Sequence, residues 1–283
     1  LQRLRGRMNA YVSLDTLKGT GALNISGTAY DTRLLAVAEN ISRQIDKYCN
    51  RNIFPYTEAK VFSGDGGAEL FVPDLISVTS LQEDSNADGT LDTTWAAADY
   101  ILEPANANPT ADWGRPFTRI AVNTRSNGSQ DVFLKDQRNY TVTGTWGYRH
   151  ITKDSGRNGT LSTGTVTSLV LDGSASALGV GDTVLIESEW CYVTTNAGTA
   201  ATVERAKNGS TGTVHTNADV LIVQYPGPVT EAVFIQAARL WKRKDSGFVS
   251  EMGLPETGQI TVWRGGLDSD VKELLAPFRK RVA

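Results

Sequence analysis

The chain of 283 residues has little of what marks stapled, metal-bound or membrane-spanning proteins. Its two cysteines, Cys49 and Cys191, stand far apart. They are too few for a disulfide framework and too isolated for a thiolate metal site, so both are expected as buried thiols. Neither of the two histidines, His150 and His215, stands at metal-ligand spacing from the other or from a cysteine. No apolar run approaches the ~20 residues that cross a bilayer, so an integral membrane protein is not expected. The opening LQRLRGRMNAYVSL is basic but has no continuous apolar stretch before a small-residue cleavage site, and export is not expected either. The chain lacks G-x-S-x-G, a phosphate-binding P-loop, H-E-x-x-H and the dinucleotide fingerprint, so catalysis is not expected.

What is there is ordinary in bulk and unusual in distribution. Hydrophobic residues make up 40% and charged residues 21%, as in soluble globular proteins. The length suits roughly two domains, or one with a large insert. The net charge of −3 conceals a segregation. From Val61 to Gly114 there is no Lys or Arg, while Asp65, Glu69, Asp74, Glu83, Asp84, Asp88, Asp92, Asp99, Glu103 and Asp112 accumulate. Bases gather in Arg3, Arg5 and Arg7, in Arg239, Lys242, Arg243 and Lys244, and in Arg279, Lys280 and Arg281. Solvated faces and helix C-termini account for such groups. The tryptophans, Trp95, Trp113, Trp146, Trp190, Trp241 and Trp263, suit core or interface anchors.

Within the acidic segment the stretch DSNADGTLD has the ligand spacing of a calcium loop. Asp84, Asn86, Asp88, the backbone of Thr90, and Asp92 occupy alternate positions, and Gly89 permits the sharp turn. Against calcium stands Trp95 in place of the final bidentate Glu, and flanks that read as strands. A tight hairpin tip needs the same Asp, Asn and Gly chemistry and is the preferred reading, with calcium the alternative.

Between Asp31 and Asn50 the residues Leu34, Ala38, Ile41, Ile45 and Tyr48 recur at helical spacing, with Asp31 expected as N-cap. A short helix is expected over Ser13 to Lys18, another over Val229–Lys244, and a last one over Ser269–Arg281 that Pro277 kinks or shortens. After Pro55 the period falls to two, giving a small antiparallel sheet to Trp146. Residues 150–158 read as a polar, glycine-rich link, followed by strands near Thr165–Leu171, Thr183–Glu187, Cys191–Thr195, Thr202–Arg205 and Val220–Tyr225. Helices toward both ends around two β segments predict an α+β protein.

Several phrases in order carry a resemblance. They are YVSLDTL, LLAVAENISRQIDKYCNRNIFPYTEAKVFSGDG, LFVPDLISVTSLQED, DYILEPANANP with RPFTRIAV, YTVTGTWGY, PVTEAVFIQAARLWKRK and VKELLAPFRK. In this the chain resembles the head–tail connector, or adaptor, proteins of long-tailed bacteriophages, with an insert between TWGY and Pro228 that lies outside the shared pattern. The resemblance implies a helical bundle core with a small antiparallel β extension at about 57–148. It divides the chain into a connector core, 1–149 with 226–283, and a separate inserted β-sandwich or barrel-like domain, 150–225.

It further implies a structural virion protein without enzymatic activity, assembled in the host cytoplasm as a ring of twelve subunits at the head–tail interface. Its neighbours would be the portal protein on one side and a stopper or tail-completion protein on the other, with double-stranded DNA passing through unread. The C-terminal region would dock on the portal through Leu274, Leu275 and Phe278 as apolar anchors and Arg279, Lys280 and Arg281 as charges. The runner-up is a β protein of a virion that binds carbohydrate or a host surface, its fold supported by calcium.

Overall fold

A computed structural model describes residues 9–19, 23–125, 130–243, 251–252, 260–261 and 266–280. Arg3, Arg5, Arg7, Lys244, Trp263 and Arg281 lie outside the described residues. The chain divides into two compact units. One comprises residues 1–51, 152–207 and 211–283, the other residues 52–151 with 208–210.

The expected helical bundle core is overturned. Among the described residues the molecule is mostly β, with 38% strand against 22% helix, two large antiparallel sheets and four short helices. The physical reason is that only two segments hold the helical period beyond two turns, while the chain between them alternates at period two or is polar. The terminal helices lie in the same unit as the strands of 152–207, whereas the 57–148 sheet forms its own unit.

In the first unit, α1 (Leu14–Lys18) is capped by Ser13, whose Oγ accepts from the Thr16 N–H, and it buries Leu14 and Leu17. Helix α2 (Asp31–Cys49) buries Leu34, Ala38, Ile41, Ile45 and Cys49 on one stripe. Its N-cap is Tyr30 rather than Asp31. Asp31 is the first helical residue, and its carboxylate pairs with Lys18 Nζ at 2.6 Å, which suits a negative charge at a helix start. Asn50 closes the helix in the left-handed conformation that Asn tolerates. Helix α3 (Gly227–Lys242) follows Pro226, packs on α2 and buries Val229, Val233 and Ala237. Helix α4 (Ser269–Leu275) packs on α3 and gives way at Pro277 to a 3-10 turn, Ala276–Phe278. Arg239 of α3 ties the two together, reaching Asp268 at 2.9 Å and Asp270 at 2.5 Å.

The same unit holds a closed antiparallel barrel. Its strands, in chain order after the six of the other unit, are β7 (Ile151–Leu161), β8 (Ser168–Leu171), β9 (Thr183–Ile186), β10 (Glu189–Ala197), β11 (Ala200–Lys207) and β12 (His215–Gln224), arranged β10-β11-β8-β7-β12-β9. Leu161, Leu169, Val184, Ile186, Val193, Val203 and Val220 fill the interior. Strand β7 is a correction, because its first eight residues, ITKDSGRN, were expected as part of a link over 150–158. Its inward positions near the pairing with β8 are Gly159 and Leu161, and a Cβ at Gly159 would stand 2.6 Å from Leu169. The strand therefore uses glycine where a hydrophobic residue would advertise it.

The second unit is an open sheet. Strands β1 (Tyr56–Gly64), β6 (Asp136–Trp146), β2 (Glu69–Glu83), β5 (Phe117–Val122) and β4 (Tyr100–Glu103) lie in that order, and β3 (Thr93–Thr94) pairs with the end of β2. Strand β2 runs through Pro73 because its ladder with β5 breaks between Phe71 and Leu75 and its ladder with β6 begins at Leu75. The missing N–H falls where no partner needs it. Trp95 stacks on Phe133 at 4.7 Å, Tyr140 meets Phe133 edge-on at 5.2 Å, and Trp146 is fully buried. Residues Glu251–Met252 and Ile260–Thr261 pair as a two-residue ladder, β13 and β14.

Candidate functional site

The stretch DSNADGTLD forms the tip joining β2 to β3, where Gln82 pairs with Thr94 and Glu83 with Thr93. Its carboxylates turn inward on the loop's own backbone. Asp84 accepts from the N–H groups of Asp88 at 3.2 Å and Gly89 at 2.8 Å, and Asp88 accepts from Thr90 at 2.7 Å. The Asn86 amide donates to Asp88 at 3.2 Å. Asp92 accepts from the Ser85 N–H and hydroxyl, and chiefly that N–H, against a small effect of burial, holds its carboxyl below the usual range. Ala87 and Gly89 supply the two left-handed residues of the turn. Among the described residues no three His, Cys, Asp or Glu side chains converge as a metal cage.

The C-terminal residues proposed to dock on a partner are divided by the fold. Leu275 and Phe278 are buried within their own unit and Leu274 is half-buried, so two of the three apolar anchors serve the chain's own core. The Lys280 N–H donates to the Cys49 carbonyl at 2.8 Å, which fastens the segment to the end of α2. Arg279 is exposed, its guanidinium 5.5 Å from the Tyr48 ring. Arg281 lies outside the described residues.

What this packing leaves open is a groove of about 620 Å³ between α2, α3 and the α4 segment. Ile41, Leu267 and the half-buried Leu240 make its floor. Gln236 is fixed within it, its Oε1 accepting from the Asp268 N–H at 3.0 Å. The rim carries Lys47, Lys272 and Arg279, three exposed cations that make no ion pair among the described residues. An apolar floor under a cationic rim suits a partner segment that offers a large apolar side chain beside a carboxylate. The groove was not legible in the sequence, because Lys47 and Lys272 are brought together only by the α2–α3–α4 packing.

A second group escaped the sequence altogether. Inside the barrel's unit, Glu189 is fully buried and accepts from Arg205 Nε at 2.9 Å, from the backbone N–H groups of Ala206 and Thr213 at 3.0 Å each, and lies 2.8 Å from His215 Nε2. His215 Nδ1 lies 2.8 Å from the exposed Glu187 carboxylate. Burial alone would raise Glu189, but the Arg205 guanidinium, the Thr213 N–H and His215 outweigh it and hold the carboxyl at about 2. The neighbouring Cys191 thiol is pushed up to about 12, by burial first and by Glu189 next. A sealed ion pair beside a protonated thiol has neither the access nor the nucleophile that catalysis requires. The other histidine, His150, belongs to the other unit, where burial lowers it.

A smaller cavity of about 180 Å³ borders Tyr11, Ser13, Asp182 and Tyr225. Burial pushes the Asp182 carboxyl up to about 6, against the Gly179 N–H that favours its charge. Compared with known protein families, curated proteins and solved structures, the chain shows no match.

Proposed function

We propose that the chain is a structural subunit of a bacteriophage neck, assembled as a ring between the portal and the stopper or tail, with DNA passing through its centre. The single observation that carries this reading is the ordered series of connector-like phrases on both sides of the barrel-forming insert, from YVSLDTL to VKELLAPFRK. The charge distribution supports it. Repeated around a ring, the base-free stretch from Val61 to Gly114 gives a belt of negative potential, because Asp65, Asp88, Asp92 and Asp112 are exposed. Such a belt near the channel keeps DNA phosphates from adhering during passage.

The test is assembly and co-assembly. The purified chain is examined by sedimentation velocity and negative-stain electron microscopy, alone and with the portal of the same particle. Rings that cap the portal are the expected result. A chain that stays monomeric with portal present, and that retains glycans or host cells, is a surface-binding protein instead.

A further inference from the structure

The most anomalous side chain among the described residues is Trp113, which is 92% exposed. Isolated small apolar residues on a surface need no explanation, but an indole presented whole to water forfeits the largest burial gain any side chain offers. The loop that carries it is tied down. Ala107, Ala111 and Gly114 close successive turns onto Pro104, Asn108 and Ala111 at 2.8, 3.1 and 2.9 Å. Arg149 donates to the Asp112 carbonyl, and the His150 N–H donates to the Pro109 carbonyl at 2.8 Å. A fixed loop presenting an aromatic residue has already met the ordering cost of binding, which is how an interface anchor behaves.

We infer that Trp113 of one copy seats in the groove between α2, α3 and α4 of a second copy, so that each subunit carries both the knob and the hole of the contact that builds the ring. The inference rests on the reading of the chain as a ring subunit and specifies the surface that joins one subunit to the next. Three complementarities support it. A groove of about 620 Å³ over Ile41, Leu240 and Leu267 has room and an apolar floor for the indole. Lys47, Lys272 and Arg279 on the rim supply cations for the face of the ring, and tryptophan is the best aromatic acceptor of a cation. The exposed Asp112, next to Trp113 in a stretch that holds no base before Arg115, offers the rim a carboxylate. Two different patches on one surface make a head-to-tail contact, and repetition of such a contact closes a ring where its rotation permits.

The test uses two full-length variants, each lacking one half of the contact. Trp113→Ser removes the knob, while Lys47→Glu with Lys272→Glu reverses the rim of the hole. All three positions are exposed, so unchanged circular dichroism and melting confirm folding. Sedimentation velocity across concentrations is expected to show wild-type oligomers and, for each variant alone, at least about a tenfold rise in the concentration needed to associate. Mixed at equal amounts, the variants are expected to form a dimer and nothing larger, because only one knob and one hole remain intact. Adding Asp112→Lys to the reversed rim is expected to restore self-association. Variants that assemble like wild type, or a mixture that stays monomeric, would overturn the inference. Rings that persist in both variants leave the neck reading standing and place the contact elsewhere, whereas a wild type that neither associates nor caps the portal removes the neck reading itself.

Discussion

Replacing Arg205 by methionine should cost the barrel's unit about 3 kcal/mol, the lower end of what breaking a buried ion pair costs. Glu189 ordinarily titrates at 4.5 and is held at about 2 in the folded chain. The gap corresponds to ~3 kcal/mol favouring the folded state at neutral pH. Breaking a buried pair by removing one partner costs roughly 3–5 kcal/mol, because a charge is left in the interior without its counter-charge. The first figure is the net effect of burial, Arg205, the Thr213 N–H, His215 and the Ala206 N–H, so the second sets the magnitude for Arg205. Arg205 and Glu189 expose 6% and 0% of their side chains, so solvent screening takes little from them.

The sign in pH follows from the direction of the shift. A depressed carboxyl contributes its stabilisation in full above 4.5 and loses it as pH falls through about 2. Arg205→Met should therefore melt roughly 6–12 °C below wild type at pH 7, taking 2–4 °C per kcal/mol for a domain of this size. Near pH 2 the gap should narrow to what the variant loses by leaving the Thr163, Val166 and Thr213 carbonyls without Arg205. Adding Glu189→Gln to Arg205→Met should recover at least half of the loss, because no buried charge then remains and the amide oxygen still accepts a backbone N–H. Thermal melts followed by circular dichroism at both pH values read all of this. A deficit under about 1 kcal/mol at pH 7, or one of equal size at pH 2, would refute the account of Glu189 as a carboxylate that depends on Arg205.

Gly147 sits at φ +127°, and a Cβ there would stand 2.3 Å from the Phe54 carbonyl oxygen. Gly147→Ala should thus destabilise the open sheet's unit by about 2–3 kcal/mol in urea titration, and a change under ~0.5 kcal/mol would show that the backbone yields. Asp84→Ala removes the acceptor of two loop N–H groups and should cost about 1–2 kcal/mol. Millimolar calcium should leave the wild-type melting temperature unchanged, and a rise of several degrees that Asp84→Ala abolishes would restore the metal reading. Cys49 and Cys191 are buried and pushed up to about 12, so neither should react with a maleimide while the chain is folded, and both should react in denaturant. Rapid labelling of the native chain would contradict that.

Local periodicity made α2 and α3 readable, since Leu34, Ala38, Ile41 and Ile45 repeat at helical spacing whatever they pack against. It also placed a sheet between Pro55 and Trp146, where β1 to β6 lie. Strand β7 was illegible because barrel closure, rather than its own alternation, keeps it in place, and its tightest inward contact is made by a glycine. The bulk class was misjudged for a related reason: helices announce themselves by long stripes, while short strands joined by polar turns do not, so the helical share was overweighted. The Glu189–Arg205–His215 group and the Lys47–Lys272–Arg279 rim each join residues distant in the chain. Only the closing of the barrel and the packing of the helices bring them together.

The two sheets differ in one respect that bears on how the chain behaves when crowded. A closed barrel exposes no unpaired strand, but the open sheet ends in β1 on one side and β4 on the other. An unsatisfied row of backbone donors and acceptors is a template for strands of other molecules. Strand β4 is four residues long and stops at Pro104, which limits what can add there. Strand β1 runs nine residues. Its start is occupied by the Asn208 carbonyl, which accepts from the Thr57 N–H at 2.7 Å, and its far end is bent by an irregularity between Phe62 and Gly64. Between them lies Lys60, paired with Glu58 at 2.9 Å, a charged residue of the kind that guards an exposed strand edge. Fibrillar misassembly during overproduction should therefore begin at the middle of β1, and Lys60→Val should hasten it.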